Sequence, residues 1–471
     1  MLGRTRRVHF IGVGGIGMSG LAELLANLGY VVSGSDEKRS SVTDRLATLG
    51  IRITQGHDPA AVGGADVVVV SAAVKPANSE VREALRRQIP VIPRAEMLAE
   101  LMRFRYGIAV AGAHGKTTTT SMIALMLERA GLDPTAVIGG RLSALGGNAR
   151  LGRGELMVAE ADESDRSFLK LFPTIAVVTN IDNEHLDHYG SLDEIERAFV
   201  DFANKVPFYG AVVACADNQR LAELLPRMSR RVVTYGLTAP GCDVTAQDVT
   251  VGPLCATGTI SRREPGRERP VPLGRLSLRV PGRHNLLNAL AAVGVGFELG
   301  LSFDQMTVGL EQFRGVERRF DVRGEPGGVL VVDDYAHHPT EVAAVLEAAR
   351  AFGRRLVVAF QPHRYTRTAA LLDAFGPALA AADYIVLTDI YPAGEDAIPG
   401  VTVERLAGAI RGAVRAKVEV VPALSDLVPA LVRISRPNDM VMTLGAGSIG
   451  GVAADLVEAL DRQQGVVGGG Q

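Results

Sequence analysis

Short apolar runs recur along the chain, and between them the apolar positions fall at the three-to-four spacing of a helix. In the first stretch the runs at 8–11, 30–33, 67–70 and 91–92 read as strands separated by helices, a βαβ series that predicts a mostly parallel sheet. Arg103-Phe-Arg-Tyr-Gly107 reads as a linker. A second series has strands at 108–111, near 156–159, at 175–179 and at 211–214. Between about 242 and 280 the pattern changes to short alternating pieces broken by Gly and Pro, a β-rich insertion whose basic run Ser261-Arg-Arg-Glu-Pro-Gly-Arg-Glu-Arg269 reads as a solvated loop. A third series places strands at 329–332, 356–360, 384–388, 418–421 and 441–444. The tail Gly465-Val-Val-Gly-Gly-Gly-Gln471 is low in complexity and is expected to lack fixed structure.

At 471 residues the chain is too long for one core, and three domains are predicted, 1–106, 107–320 and 321–471. A net charge of −2 gives no electrostatic case for nucleic acid or a membrane surface, so the expected partners are small molecules. Cys215, Cys242 and Cys255 have neither a short metal-ligand spacing nor the even count of a disulfide framework, which fits a cytoplasmic protein. The basic start Arg4-Thr-Arg-Arg7 is read as leading into the first strand and not as a signal peptide, because His9 and the following glycines interrupt the apolar part. No run approaches the roughly 18 apolar residues of a membrane helix.

Two glycine loops carry the chemistry. In Val110-Ala-Gly-Ala-His-Gly-Lys-Thr117 an apolar strand runs into glycines, then Lys and Thr, then an apolar helix. Gly112 and Gly115 let the backbone approach a polyphosphate, the N–H groups opening the helix point at its oxygens, Lys116 reaches the β/γ-phosphates and the Thr117 hydroxyl binds Mg²⁺. The loop is a shortened G-x-x-G-K-T form, since Val110 stands where the longer motif has its first Gly. Gly12-Val-Gly14-Gly15-Ile-Gly17 also follows a strand and opens a helix, and Asp36 lies about where a ribose-binding acid is expected. Read alone this second loop permits an NAD enzyme, but it specifies a diphosphate and not a nicotinamide, and that reading leaves Lys116, Glu160 and His185 without a task. The predicted fold is α/β: a Rossmann-like N-terminal domain, a central P-loop ATPase-like domain with a β-rich insertion, and a Rossmann-like C-terminal domain.

Two acidic turns, Glu160-Ala-Asp-Glu-Ser-Asp165 and Asn180-Ile-Asp-Asn-Glu-His185-Leu-Asp187, follow strands of the central sheet on the edge that carries the phosphate loop. Oxygen ligands and a His there suit Mg²⁺ bound to ATP, and helix capping is the competing use of the same acids. In the third domain, Asp333-Asp-Tyr-Ala-His-His-Pro339 and Gln361-Pro-His-Arg-Tyr-Thr-Arg367 concentrate polar side chains that suit a dry core poorly. Arg364 and Arg367 can grip a carboxylate, and a salt-bridge network between domains is the alternative.

These segments, together with His284-Asn-Leu-Leu-Asn288 and Tyr391-Pro-Ala-Gly-Glu395, come in an order that resembles the Mur ligases of peptidoglycan synthesis over the chain up to about Leu460. The resemblance implies that the first domain holds UDP-N-acetylmuramate through Gly14, Gly15, Ile16, Gly17, Ser19, Asp36 and Ser71. It implies ATP on Gly112, Ala113, His114, Gly115, Lys116, Thr117 and Thr118, with Asn285 at the adenine, Asp334 at the ribose and Arg319 nearby. Two Mg²⁺ are implied, one on Thr117 and Glu160 and one on His185, with Lys116, Glu160 and His185 catalytic. Tyr335, His337, Arg364 and Arg367 would hold L-alanine, whose amine attacks an acyl phosphate formed from the lactyl carboxylate and ATP. A monomer or homodimer is expected, and the competing acceptor is a tripeptide. Ala113, Glu184 and Ala336 depart from the usual Thr, Asp and Gly of the family, and no Lys clearly matches its carbamylated position.

Overall fold

The structure, a computed structural model, describes residues 3–71, 73–142, 147–184, 186–264, 266–267 and 269–468. The chain divides into two compact units, Met1–Asp248 with Gly258–Ser277 and Leu286–Phe313, and Val249–Thr257 with Leu278–Asn285 and Arg314–Gln471. Three sheets underlie them.

The first unit opens with β1 (Arg7–Ile11), β2 (Val31–Asp36), β3 (Arg52–Gln55), β4 (Val67–Val70) and β5 (Val91–Pro93) in the order 3-2-1-4-5, all parallel. β4 is four valines in a row, three of them buried, as suits a central strand covered on both faces. Helices Ile16–Asn27, Ser41–Thr48, Ser79–Arg86 and Arg94–Met102 alternate with these strands. The expected linker is shorter than the sequence implied, because Tyr106 and Gly107 already belong to the next strand.

The larger sheet of this unit consists of β6 (Tyr106–Ala111), β7 (Thr135–Leu142), β8 (Gly147–Arg150), β9 (Leu156–Glu160), β10 (Ile175–Val178), β11 (Ala211–Cys215), β12 (Val232–Gly236), β13 (Val244–Gly252), β14 (Cys255–Arg262) and β15 (Val271–Leu278). Its order is 15-14-13-12-11-10-6-9-7-8, so the expected β-rich insertion prolongs the main sheet as β13–β15. β10, β6, β9 and β7 run parallel, which gathers the loops after β6, β9 and β10 on one edge. Helix Lys116–Arg129 is buried from Thr117 to Leu127, so its threonines are held by packing and not by helix propensity.

The second unit holds β16 (Asp321–Gly324), β17 (Leu330–Asp334), β18 (Arg355–Phe360), β19 (Tyr384–Leu387), β20 (Lys417–Val420) and β21 (Asp439–Leu444) in the order 16-17-21-18-19-20. Only β16 is antiparallel to its neighbour. Helix Pro339–Arg350 starts on a capping box: the His338 ring accepts the Thr340 N–H, and Glu341 reaches back to the N–H groups of His337 and His338. Helix Val452–Gly468 runs into the glycine-rich tail expected to lack structure, and residues 469–471 lie outside the described residues. No helix among the described residues is long and apolar enough to cross a membrane.

Candidate active site

β1 carries its apolar run into Gly12, and the N–H groups of Gly12 and Val13 both bond to the Ser35 carbonyl on β2, at 2.9 and 3.0 Å. The helix begins at Ile16, which leaves Gly14 and Gly15 at its mouth, Gly17 in its first turn and Ser19 buried just beyond. Strand order reverses between β1 and β4, where open α/β sheets leave a crevice at their carboxyl edge. Ser71 directly follows β4 on that edge, and its Oγ would stand 3.5 Å from a Cβ on Gly12. Asp36 also lies here, but it accepts the Gly14 N–H at 2.8 Å and is engaged with the loop's own backbone.

The second loop joins β6 to helix Lys116–Arg129. Gly112 has φ +137° and Gly115 φ +81°; a Cβ on Gly112 would collide with Thr179 Oγ1, and one on Gly115 would lie 2.7 Å from Asn288 Oδ1. Only glycine fits either position. Asn180 fixes the crest by accepting the His114 N–H at 2.8 Å and donating to the His114 carbonyl at 3.0 Å. The His114 ring pairs with Asp182 at 2.9 Å. Lys116 Nζ donates to the Gly112 and Ala113 carbonyls and to Glu163 Oε1, at 2.7, 3.2 and 2.8 Å. Thr117 Oγ1 donates to Glu160 at 3.0 and 3.2 Å, Gly139 N–H donates to the same carboxylate at 2.8 Å, and Thr118 is buried in the helix. Lys116, Thr117 and Glu160 thus stand together at the start of this helix. His185 lies outside the described residues.

Burial pushes the Glu163 carboxyl up to about 8, with Lys116 pulling against it. Burial acts to lower the ammonium of Lys116, but Glu163, Glu160 and Asp162 outweigh it, so the lysine is held above its ordinary value and stays protonated. Asp162 is held low against its burial, by Lys116, Ser164 and Arg94.

In the second unit, Asn285 opens helix Arg283–Glu298 and its amide donates to the Pro281 carbonyl at 2.7 Å. Asp334, at the end of β17, accepts the Phe320 and Ala336 N–H groups at 2.7 Å each. Burial raises its carboxyl to about 6, with Arg319 and those two N–H groups acting against the rise. Arg319 lies over the Tyr335 ring at 5.2 Å and faces Glu341 at 3.6 Å. Four rings follow one another across the ends of β17, β18 and β19: Tyr335 to His337 at 5.5 Å, His337 to His363 at 5.4 Å, and His363 to Tyr391 at 5.5 Å. His337 Nδ1 donates to the Tyr335 carbonyl at 3.0 Å, and Arg367 Nη1 donates to His363 Nδ1 at 3.2 Å. Arg364, at φ +69°, turns instead to Glu395, 3.9 Å away. Arg367 thus meets His363, and Arg364 meets Glu395.

The supporting residues were harder to read from the sequence. Asn288, Tyr391 and Glu395 stood inside motifs without a task, and Arg94, Asn180, Arg318 and Glu341 had no individual signal. Arg318 joins Asp333 at 2.9 Å to the Gly445 carbonyl at 2.6 Å, closing the edge between β17 and β21.

Three family models match in chain order: "Mur ligase family, catalytic domain" over residues 7–106, "Mur ligase middle domain" over 110–296 and "Mur ligase, glutamate ligase domain" over 318–447. The curated UDP-N-acetylmuramate–L-alanine ligase of Solibacter usitatus is 53% identical over 462 residues, covering 98% of this chain and 96% of its own length. That of Geotalea daltonii is 53% identical over 461 residues, covering 98% and 99%. The crystal structure of UDP-N-acetylmuramate-alanine ligase from Thermotoga maritima matches with a TM-score of 0.81 at 30% identity, over 98% of this chain and 99% of that one. A murein peptide ligase from Psychrobacter arcticus shares the fold, with a TM-score of 0.72 at 24% identity over 97% and 99%. The two glycine loops, the three sheets and the full-length likeness agree, and the chain belongs to the Mur ligase family, with its three-domain α/β fold.

Proposed function

We propose that the protein joins L-alanine to the lactyl carboxylate of UDP-N-acetylmuramate, with ATP as the co-substrate that becomes ADP and phosphate. The observation that carries this reading is the meeting of Lys116, Thr117 and Glu160 at one loop, in a chain 53% identical over nearly its full length to ligases of that name. In this reading the first sheet takes the sugar nucleotide, the second takes ATP and the third takes the amino acid, with boundaries near 106 and 320. The three cysteines are free, in keeping with a cytoplasmic reaction.

A carboxylate is a poor electrophile, so it must first be activated. Its oxygen attacks the γ-phosphorus, ADP leaves, and the acyl phosphate then accepts the alanine amine at its carbonyl carbon. A tetrahedral intermediate collapses with loss of phosphate, and the amine proton goes to solvent or a nearby base. Lys116 and the N–H groups of helix Lys116–Arg129 place positive charge where the transferred phosphoryl group gathers negative charge. Gly112 and Gly115 let the backbone come close enough to do this.

Thr117 Oγ1 and the Glu160 carboxylate form an all-oxygen donor pair beside that helix start, which suits a hard divalent cation. Mg²⁺ bound there would neutralise phosphate charge during transfer. His185 is proposed for a second ion. Asn285, Arg319 and Asp334 are proposed for the nucleoside, and Tyr335, His337, Arg364 and Arg367 for alanine, with Glu395 and His363 holding the arginines. Phosphate release from ATP with UDP-N-acetylmuramate tests the reading when L-alanine, glycine, L-serine and the tripeptide are compared. L-alanine should give the highest kcat/KM, and a preference for the tripeptide would overturn the acceptor assignment.

A further inference from the structure

Arg94 stands outside every motif of the sequence. It opens helix Arg94–Met102 directly after β5, and its guanidinium packs on the backbone of Gly17, where a Cβ would come within 2.9 Å of Nη1. Its Nη2 reaches across to Asp162 Oδ2 at 3.4 Å. The same helix is tied to the turn beyond Asp162 by Glu96 and Lys170, 3.5 Å apart.

Asp162 and Glu163 are consecutive residues serving opposite neighbours. Asp162 meets Arg94 beside the first glycine loop, and Glu163 meets Lys116 in the second at 2.8 Å. Their turn is braced from within and by Tyr189. Asp162 Oδ1 accepts the Ser164 N–H at 3.0 Å, the Asp162 carbonyl accepts the Phe168 N–H and Ser167 Oγ at 2.9 and 3.1 Å, and the Glu163 carbonyl accepts from Tyr189 Oη at 2.6 Å. A turn braced at so many points transmits a pull on Asp162 to Glu163.

Resting on the reading that a sugar-nucleotide diphosphate occupies the first glycine loop, we infer that Arg94 is a positioning residue that couples the two nucleotide loops through Asp162 and Glu163. A diphosphate on that loop is a stronger anionic partner for the guanidinium than the carboxylate at 3.4 Å. Arg94 shared between the two draws Asp162 toward the first loop. Glu163 moves with it and loosens its hold on Lys116, which frees the ammonium for the phosphates of ATP. The coupling is reciprocal, so each nucleotide tightens the other by the same factor.

The test is calorimetric titration of ADP with and without saturating UDP-N-acetylmuramate, and the reverse, on the full-length protein and its Arg94→Met, Arg94→Lys, Asp162→Asn and Arg94→Met/Asp162→Asn variants. ADP should bind the unaltered protein about fivefold tighter or more when the sugar nucleotide is present. Arg94→Met and Asp162→Asn should each bring that ratio toward one, the double variant should go no further, and Arg94→Lys should retain part of it. A purely structural role would lower the melting temperature and leave the ratio alone. Asp162→Asn keeps the side-chain volume and provides the same test if Arg94→Met fails to fold. A ratio of one in the unaltered protein, a ratio kept by the Arg94→Met or Asp162→Asn variants, or additive losses in the double variant would overturn the coupling. Failure of UDP-N-acetylmuramate to bind the unaltered protein would overturn the reading of the first loop, and the coupling with it.

Discussion

Lys116 and Glu163 are bound to each other, Nζ to Oε1 at 2.8 Å, so the cation of the phosphate loop is held by a carboxyl group from just beyond a neighbouring strand. Removing one partner of a buried pair typically costs about 3–5 kcal/mol, less where the stranded carboxyl can take up a proton. Burial already pushes Glu163 up to about 8, which favours that escape. Lys116→Met should therefore lower the melting temperature moderately and reduce phosphate release by roughly 10²–10³. Lys116→Met/Glu163→Gln should regain the melting temperature and none of the turnover. Turnover restored in the double variant would show that Lys116 does not act on the phosphates.

Glu160 accepts from both Thr117 Oγ1 and the Gly139 N–H, so an amide in its place keeps much of the local bonding and removes the charge. Glu160→Gln should raise the Mg²⁺ concentration for half-maximal phosphate release by about ten- to a hundredfold, the range of one charge-assisted contact. The melting temperature should hardly change. An unchanged Mg²⁺ requirement would remove Glu160 from the ion's surroundings.

Asp334 carries a pH signature of opposite sign to an ordinary surface acid. Its folded pKa is raised from 3.8 to about 6, so between those values the folded protein binds more protons than the unfolded chain. That contribution to stability is fully present below the unfolded pKa and is lost as pH rises through 6, an effect of roughly 3 kcal/mol at most. Asp334→Asn forfeits one acceptor for the Phe320 or Ala336 N–H and should be less stable throughout. The informative quantity is the slope of unfolding free energy against pH between 4 and 6, measured in urea. The variant should lack the wild-type downward term there, and identical slopes would show that Asp334 is not raised.

Arg367 and Arg364 are supported by different partners, His363 and Glu395, and should respond differently to substitution. Lys at 367 cannot reproduce a planar guanidinium held against an imidazole nitrogen, and the KM for L-alanine should rise about ten- to a hundredfold. Glu395→Gln should weaken alanine binding to a smaller degree by releasing Arg364. The KM for ATP should move little in either case. A rise in the KM for ATP alone would move this pair of arginines to the nucleotide.

Much of the site was legible because its parts are local in sequence. Strand, glycine and helix follow one another in both loops, and Thr117 meets Glu160 across the edge that carries the second. What escaped depends on strand order. Glu163 meets Lys116 because β9 pairs with β6, and Asn180 reaches His114 because β10 lies on the other side of β6, facts that spacing along the chain does not hold. The bond of Asp36 to Gly14 depends on how far β2 extends, and the apolar run ending at 33 understates that length. The strands missed outright include β3 and β16, edge strands with polar or charged residues that mute the alternation.

The ring series from Tyr335 through His337 and His363 to Tyr391 should respond to concentrated salt differently from the charged loops. Ions shorten the reach of a charge from about 10 Å at 0.1 M to about 3 Å at 1 M, whereas rings in contact are held largely by dispersion and water exclusion. Rising ionic strength should thus loosen the grip of the charged loops on a polyphosphate while the ring contacts from Tyr335 to Tyr391 persist.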